Sequence, residues 1–302
     1  MSIIITGGSG LVGRELTATL SYAGREVIVL SRFPDRVADL PLKARAVAWD
    51  GRTPTGWGHL VNGADAVVNL AGANLAGSRW AAQRKQVLRD SRVQAGKAVV
   101  EAIRAASDKP KVVVQASAVG YYGPRGSEEV TETTPAGSDF QAELCKEWEA
   151  STAPVEEWGV RRVVARTGVV LSPDGGALPR MMAPFRFFVG GPLGDGKQWF
   201  PWIHFTDEVN ALKYLIDNDT ASGAYNLCSP GPVTNAEFSR TLAKRMRRPC
   251  WFAVPGFMLR LLYGQMADVL LKGQKQMPRR LQRSSFRFLY STADAALKDI
   301  VF

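Results

Sequence analysis

Residues 5–13 read ITGGSGLVG, and the placement of its glycines decides the fold. The run follows an apolar, β-branched stretch, SIIIT (2–6), and opens a segment of helical periodicity from about Leu11 to Ala23. It therefore stands where a strand turns into a helix. At such a turn Gly7 permits a tight bend, Gly10 lets a ligand approach the backbone, and Gly13 lets helix and strand pack closely. The unpaired N–H groups of the first helical turn then face an anion. This context makes Gly7, Gly8, Ser9, Gly10, Leu11, Val12 and Gly13 a pyrophosphate cradle.

Downstream, strand-like and helical segments alternate: EVIVL, ARAVAW, ADAVVNLAG, a long helix from about Ala81 to Ala106, KVVVQAS, a helix around Phe140 to Trp158, and RRVVART. That rhythm predicts an α/β fold, a Rossmann-type doubly wound parallel sheet with helices on both faces. After Leu171 the glycine- and proline-rich runs SPDGGALPR and GGPLGDGKQWFPW read as loops. WIHF, a helix from about Asp207 to Asn218 and GAYNL are expected to return to the sheet. The remainder reads as mostly helical. The expected division is residues 1–172 and 202–229 for the dinucleotide domain, with 173–201 and 230–302 as a smaller substrate-side domain.

The second strand ends in Ser31 and Arg32, where a nucleotide with free ribose hydroxyls calls for a carboxylate. Arg32 instead suits the 2′-phosphate of NADP, with a second bond from Ser31. One charge-assisted hydrogen bond of about 1.5–3 kcal/mol gives roughly 10- to 150-fold preference for NADP(H). Asp50, after the third strand, can accept from the adenine amine or cap a turn. Leu70, Ala71 and Gly72 follow the fourth strand, where small residues allow the cofactor to pass closely.

Composition narrows the classes. Of 302 residues, 46% are hydrophobic and 22% charged, which describes a globular chain. Met1 leads straight into a strand, with no export signal. The apolar run WFAVPGFMLRLLYGQMADVLL contains Pro255, Arg260, Gln265 and Asp268, so it reads as an amphipathic helix packed on the protein. Cys145, Cys228 and Cys250 lack CxxC spacing, and two histidines cannot build a metal cluster, so no metal is expected and the compartment reads as reducing and cytoplasmic. The net charge of +10 gathers in KRMRRP and KGQKQMPRRLQR without the aromatic interleaving of a nucleic-acid groove. A small-molecule substrate, including an anionic one, is expected instead of nucleic acid or membrane; monomer and homodimer stay open.

In this order of motifs the chain resembles the extended short-chain dehydrogenase/reductases, and within them an atypical, YfcH-like branch labelled epimerase family protein. The resemblance runs over the whole chain: TGGSGLVG, VVNLAG, SRV at 91–93, ASAVGYYG, WE at 148–149, RTGVVLSPDGGAL, GGPLGDGKQWFPWIHFTD, PVTNAEF and GQKQMPRRL. It implies a Rossmann domain binding NADP(H) and a small C-terminal domain over the nicotinamide. It places Ser117 where these enzymes bond the substrate carbonyl, matches Tyr122-Gly123 to a Tyr-Gly pair, and sets Arg92 near the cofactor.

The same resemblance exposes a gap, because the usual Tyr-xxx-Lys pair that moves the proton falls on Gln141 and Cys145. Tyr121, Tyr122, Cys145 and His204 are the substitutes to consider. Arg186, Lys197 and Trp199, in the segment PFRFFVGGPLGDGKQWFPW, suit an anionic or flat substrate. Two functions follow: an NADP(H)-dependent oxidoreductase or epimerase with an unusual proton route, or a noncatalytic NADP(H)-binding sensor.

Overall fold

The computed structural model describes residues 2–37 and 39–301. The first five strands, β1 Ser2–Thr6, β2 Glu26–Ser31, β3 Ala44–Ala48, β4 Ala66–Asn69 and β5 Val112–Ala118, run parallel in one sheet. The later strands are β6 Gly126–Val130, β7 Arg161–Thr167, β8 Val169–Ser172, β9 Gly175–Gly176, β10 Trp199–Phe200, β11 Trp202–His204, β12 Gly223–Leu227, β13 Val233–Thr234 and β14 Gln274–Gln276. β7 and β12 complete a seven-stranded sheet of order β12-β7-β5-β4-β1-β2-β3. The order reverses at β1, so the C-terminal ends of β1 and β4 frame the crevice in which such sheets bind ligands.

Alternation within β1 shows why both faces are covered. Ile3 and Ile5 pack with Leu16 and Leu20 of helix α1 (Leu11–Tyr22) and with Leu212 and Leu215, whereas Ile4 packs on the other face with Val99 and Ile103. These last belong to helix α2, Ala82–Ala105. A strand buried on both sides needs apolar residues at every position, and SIIIT supplies them.

Helix α3 spans Phe140–Ala150, with the Asp139 carboxylate accepting from Ala142 N at 2.9 Å. It is shorter than the sequence suggested. Pro154 cannot extend an α-helix here, and residues 153–158 continue as a separate 3₁₀ segment. SPDGGALPR is also less loop-like than expected, because Pro179 sits in the first turn of α4 (Leu178–Arg186), where its missing N–H has no cost. WIH is a further correction: β11 pairs with β8, not with the main sheet, while GAYNL joins as the edge strand β12.

Helix α5, Phe205–Asp217, returns beneath the main sheet. A further core gathers Leu171, Phe185, Trp202, Phe238, Leu242 and Leu297, combining β8, α4, β11, α6 (Asn235–Met246) and the C-terminal helix Ala293–Ile300. Helix α7, Gly256–Tyr263, does not pack as anticipated: it buries Leu259, while Phe257, Leu261 and Leu262 are exposed. Eight residues long, it has a single buried position. Among the described residues no helix is long and apolar enough to cross a membrane.

Candidate functional site

The loop after β1 is closed by backbone contacts that only glycine permits. Gly7 has φ +68°, and a Cβ on it would lie 2.8 Å from Leu70 O; a Cβ on Gly13 would lie 2.4 Å from Gly7 O. Gly10 N donates to Gly7 O at 2.9 Å and begins α1, which has no side-chain cap and no acidic residue in its first turn. The free N–H groups of that turn and the positive end of the helix dipole suit a phosphate. Ser9 and Gly10 are exposed, while Gly8 and Gly13 form the buried floor.

Arg32 is exposed at the end of β2, and the buried Ser31 holds the turn by accepting from Phe33 N at 3.1 Å. Asp50 caps its own turn, accepting from Arg52 N (2.7 Å), Thr53 N (2.8 Å) and Thr53 Oγ1 (2.7 Å). Burial opposes ionisation of Asp50, but those bonds from Thr53 and Arg52 outweigh it and hold its pKa below the usual carboxylate range. The turn-capping alternative thus describes its contacts, not a carboxylate left free for adenine. Leu70 and Ala71 lie half-buried beside the glycine loop.

Beyond β4 the sheet edge turns polar in rows set by strand register. Thr6, Asn69 and Gln115 are neighbours across β1, β4 and β5, joined by Thr6 Oγ1 to Asn69 Oδ1 (2.6 Å) and Asn69 Nδ2 to Gln115 Oε1 (2.8 Å). Further along, Ser117, Arg166 and Asn226 are register partners across β5, β7 and β12. Glu149 of α3 ties the first two together. Ser117 Oγ donates to Glu149 Oε1 at 2.6 Å, and Arg166 donates to both carboxylate oxygens, each at 2.9 Å.

This network corrects the expectation for Tyr122. The side chain is fully buried, its hydroxyl donating to Asn226 Oδ1 at 2.6 Å and accepting from Arg166 Nη1 at 3.0 Å. With its hydroxyl committed on both sides and its ring away from the cleft, Tyr122 is a structural tie, and burial raises its pKa well above the tyrosine range despite Arg166. Burial also opposes the Arg166 charge, yet its bonds to Glu149 and the attraction of Tyr122 and Glu149 raise its pKa. Tyr121 is half-buried, its ring stacked 3.4 Å from the Arg166 guanidinium carbon.

Ser117 opens on a cleft of about 180 Å³ lined also by Leu75, Arg92, Gln141, Leu144 and Cys145, with Thr167 and Gly168 at the end of β7. A wider hollow of about 460 Å³ lies by Gly24, Lys43 and Arg45, at the opposite, N-terminal ends of β2 and β3, away from the glycine loop. Cys145, weighed as a substitute for the missing proton donor, points its thiol at Ala118 O (3.8 Å), and burial and then the nearby Glu149 push it up to about 12. Gln141 lies against Gly120, where a Cβ would approach its Oε1 to 2.9 Å. Arg92 brings a buried cation.

His204, by contrast, does not enter the cleft. Its Nδ1 caps α5 by accepting from Thr206 N at 3.1 Å, its Nε2 is 3.3 Å from Asp299 Oδ2, and its ring lies on Tyr290 at 3.7 Å. The carboxylate and phenol come from the C-terminal segment, which claims the imidazole for packing. Burial depresses its pKa and Asp299 only partly offsets that. Arg186 and Lys197 are exposed and Trp199 is half-buried with Lys275 5.3 Å above its ring; none of the three lines the cleft.

The sequence did not single out the roles of Glu149, Arg166, Asn226 or Glu208. Glu208 is buried in the first turn of α5, accepting from Thr167 Oγ1 at 2.9 Å, and burial pushes its pKa up to about 8 against that bond. Gln274 and Gln276 of β14 also reach the site's backbone, donating to Val119 O (2.6 Å) and Arg166 O (3.2 Å). Glu149 in the WE pair and Arg166 in RTGVVLSPDGGAL, charged residues within the quoted motifs, were the available clue.

Residues 3–228 match the NAD dependent epimerase/dehydratase family, and residues 254–300 match a domain of unknown function, DUF1731. The chain is 38% identical over 302 residues to an epimerase family protein of Staphylococcus aureus (strain MRSA252), covering 99% of this chain and 98% of that one. It is 40% identical over 296 residues to an epimerase family protein of Mycobacterium bovis, with 98% and 96% covered. The crystal structure of human epimerase family protein SDR39U1 (isoform 2) with NADPH superposes with a TM-score of 0.91 at 34% identity, covering 100% of this chain and 99% of the human one.

Proposed function

The chain belongs to the NAD dependent epimerase/dehydratase family, and from that premise we propose that it binds NADP(H) and carries out oxidoreduction or epimerisation of a carbonyl- or sugar-like small molecule. The observation that carries the reading is that the glycine-floored helix terminus and Ser117 both lie at the C-terminal edge of the sheet, after β1 and near the end of β5, with Leu70 against Gly7 and Gly72 against Arg92 between them. The backbone of residues 7–13 would hold the pyrophosphate, Ser31 and Arg32 the 2′-phosphate, and residues 70–72 the passage between loop and cleft. NADPH in the human relative supports the choice of nucleotide. Bound there, NADP(H) would supply or take up hydride.

The protein's own part is the proton. Ser117 commits its hydrogen to Glu149, so its lone pairs can accept from a substrate hydroxyl. As that hydroxyl loses its proton to Ser117 Oγ, the Ser117 hydrogen passes to Glu149 Oε1; reduction reverses both transfers. Arg166 is the positioning residue, orienting Glu149 through two parallel bonds. Tyr121 stays beside it as the one tyrosine of the pair not locked in the interior.

A second reading, a noncatalytic NADP(H)-binding sensor, draws support from the protonated Cys145 and the locked Tyr122. Both readings fit a reducing, cytoplasmic setting for three free cysteines. Nucleotide choice is tested by melting: NADPH should raise Tm at concentrations where NADH does not, following RT ln(1 + [L]/Kd). Arg32→Asp should remove the difference without unfolding the protein. Equal shifts by both nucleotides in the parent protein would overturn the NADP assignment.

A further inference from the structure

Two arginines stand at the cleft end of the sheet, and one has a carboxylate. Arg166 spends its Nε–Nη2 edge on Glu149. Arg92, only 6% exposed, donates Nη1 to Leu88 O at 3.0 Å, and no group among the described residues accepts from its Nε or Nη2. Trp148 covers it, with the guanidinium carbon 4.8 Å from the ring centroid. Gly72 lies over the face of the guanidinium, where a Cβ would come within 3.1–3.3 Å of Cζ, Nη2 and Nε. Its missing side chain leaves room for the guanidinium there. Burial lowers the Arg92 pKa to about 10, which still leaves the group charged at neutral pH.

A buried charge costs stability unless something pairs with it, and the free Nε–Nη2 edge has the planar fork that matches a carboxylate. We propose that Arg92 binds the carboxylate of the substrate, so that the substrate is a small organic acid bearing the reacting carbonyl or hydroxyl. This deepens the oxidoreductase reading and rests on it for the name substrate. The cleft, about 180 Å³, is small and is lined by Ser117, Gln141 and Cys145 beside Arg92, which suits a compact acid whose carbonyl or hydroxyl reaches Ser117. A cofactor phosphate is the other source of anionic oxygens, but in the proposed binding mode the start of α1 and Arg32 would serve it, whereas Arg92 shares its cleft with Ser117, Gln141 and Cys145.

The test uses calorimetric titration of the full-length protein, free and NADP⁺-loaded, with pyruvate and acetoacetate and with the neutral amides of both acids. At least one acid should bind more than about tenfold tighter than its amide, the scale of one charge-assisted bond. It should bind with NADP⁺ present. Arg92→Met should abolish the acid–amide difference, and Arg92→Lys, which keeps charge without the fork, should restore part of it. If Arg92→Met does not fold, Gly72→Ala serves, since its Cβ presses on the guanidinium face and must move the fork, at a position outside the left-handed region. Acid and amide binding alike, no binding by either acid, a preference that survives Arg92→Met or, failing that variant, Gly72→Ala, or displacement of the acid by NADP⁺ would each overturn the proposal. Failure of NADPH to bind at all would defeat the oxidoreductase reading instead, and the titration of the free protein would still judge the anion site.

Discussion

The two ends of the candidate site are built by opposite means. After β1 the protein uses almost no side chains: glycines bring backbone against backbone, and a helix terminus supplies donors. At the ends of β5, β7 and β12 it uses side chains almost exclusively, with Ser117, Glu149, Arg166, Tyr122 and Asn226 bonded in series. The first end is local in sequence. The second joins positions more than a hundred residues apart, through strand register. An anion cradle therefore tolerates little change in shape, whereas the polar network tolerates little change in charge.

The largest expected effect breaks the charged end. Arg166→Met leaves Glu149, whose side chain is 12% exposed, with Ser117 but without its cation, and should cost about 3 kcal/mol in denaturant unfolding. Adding Glu149→Leu should recover much of that loss, because a missing ion pair is cheaper than half of one. A double variant no more stable than the single would show that packing, not charge, holds the network.

A smaller effect is expected at the backbone end. Gly7→Ala forces a side chain onto φ +68° and toward Leu70 O, and should cost about 1–3 kcal/mol while weakening NADPH. Unchanged stability and affinity would mean that the loop has room the contacts deny.

The most modest prediction concerns pH. Glu208 has a folded pKa raised to about 8 from an ordinary 4.5, so the folded state holds the extra proton between those values. Its contribution to stability is fully present below about pH 4.5 and is lost as pH rises through about 8. Glu208→Gln should flatten the fall in Tm across that window. A slope unchanged by the substitution would assign it to other groups.

How much was legible follows from the same contrast. The parallel sheet and the glycine loop were readable because apolar runs and glycine spacing are local patterns. The Ser117–Glu149–Arg166 bond was not, since its members are aligned by the β5–β7 register and by the way α3 packs, neither of which leaves a spacing in the sequence. β14 was missed because QKQ has no apolar alternation; its outer glutamines are buried for hydrogen bonding. His204 misled for the converse reason: a histidine near a glycine-rich loop looks functional until Asp299 and Tyr290, almost a hundred residues on, are seen around it.

In the proposed function a Ser117–Glu149 relay stands in for the absent tyrosine and lysine. Its most direct test is NADPH oxidation by the parent protein and by Ser117→Ala, over a panel of short keto acids, other carbonyl compounds and sugar derivatives. Turnover is expected with at least one compound, with a fall of about 10²–10⁴-fold in Ser117→Ala, the usual worth of a positioned proton-transfer group, and NADPH affinity retained. Brisk turnover unchanged in Ser117→Ala would contradict the relay, and tight NADPH binding with no turnover on any compound would contradict catalysis itself.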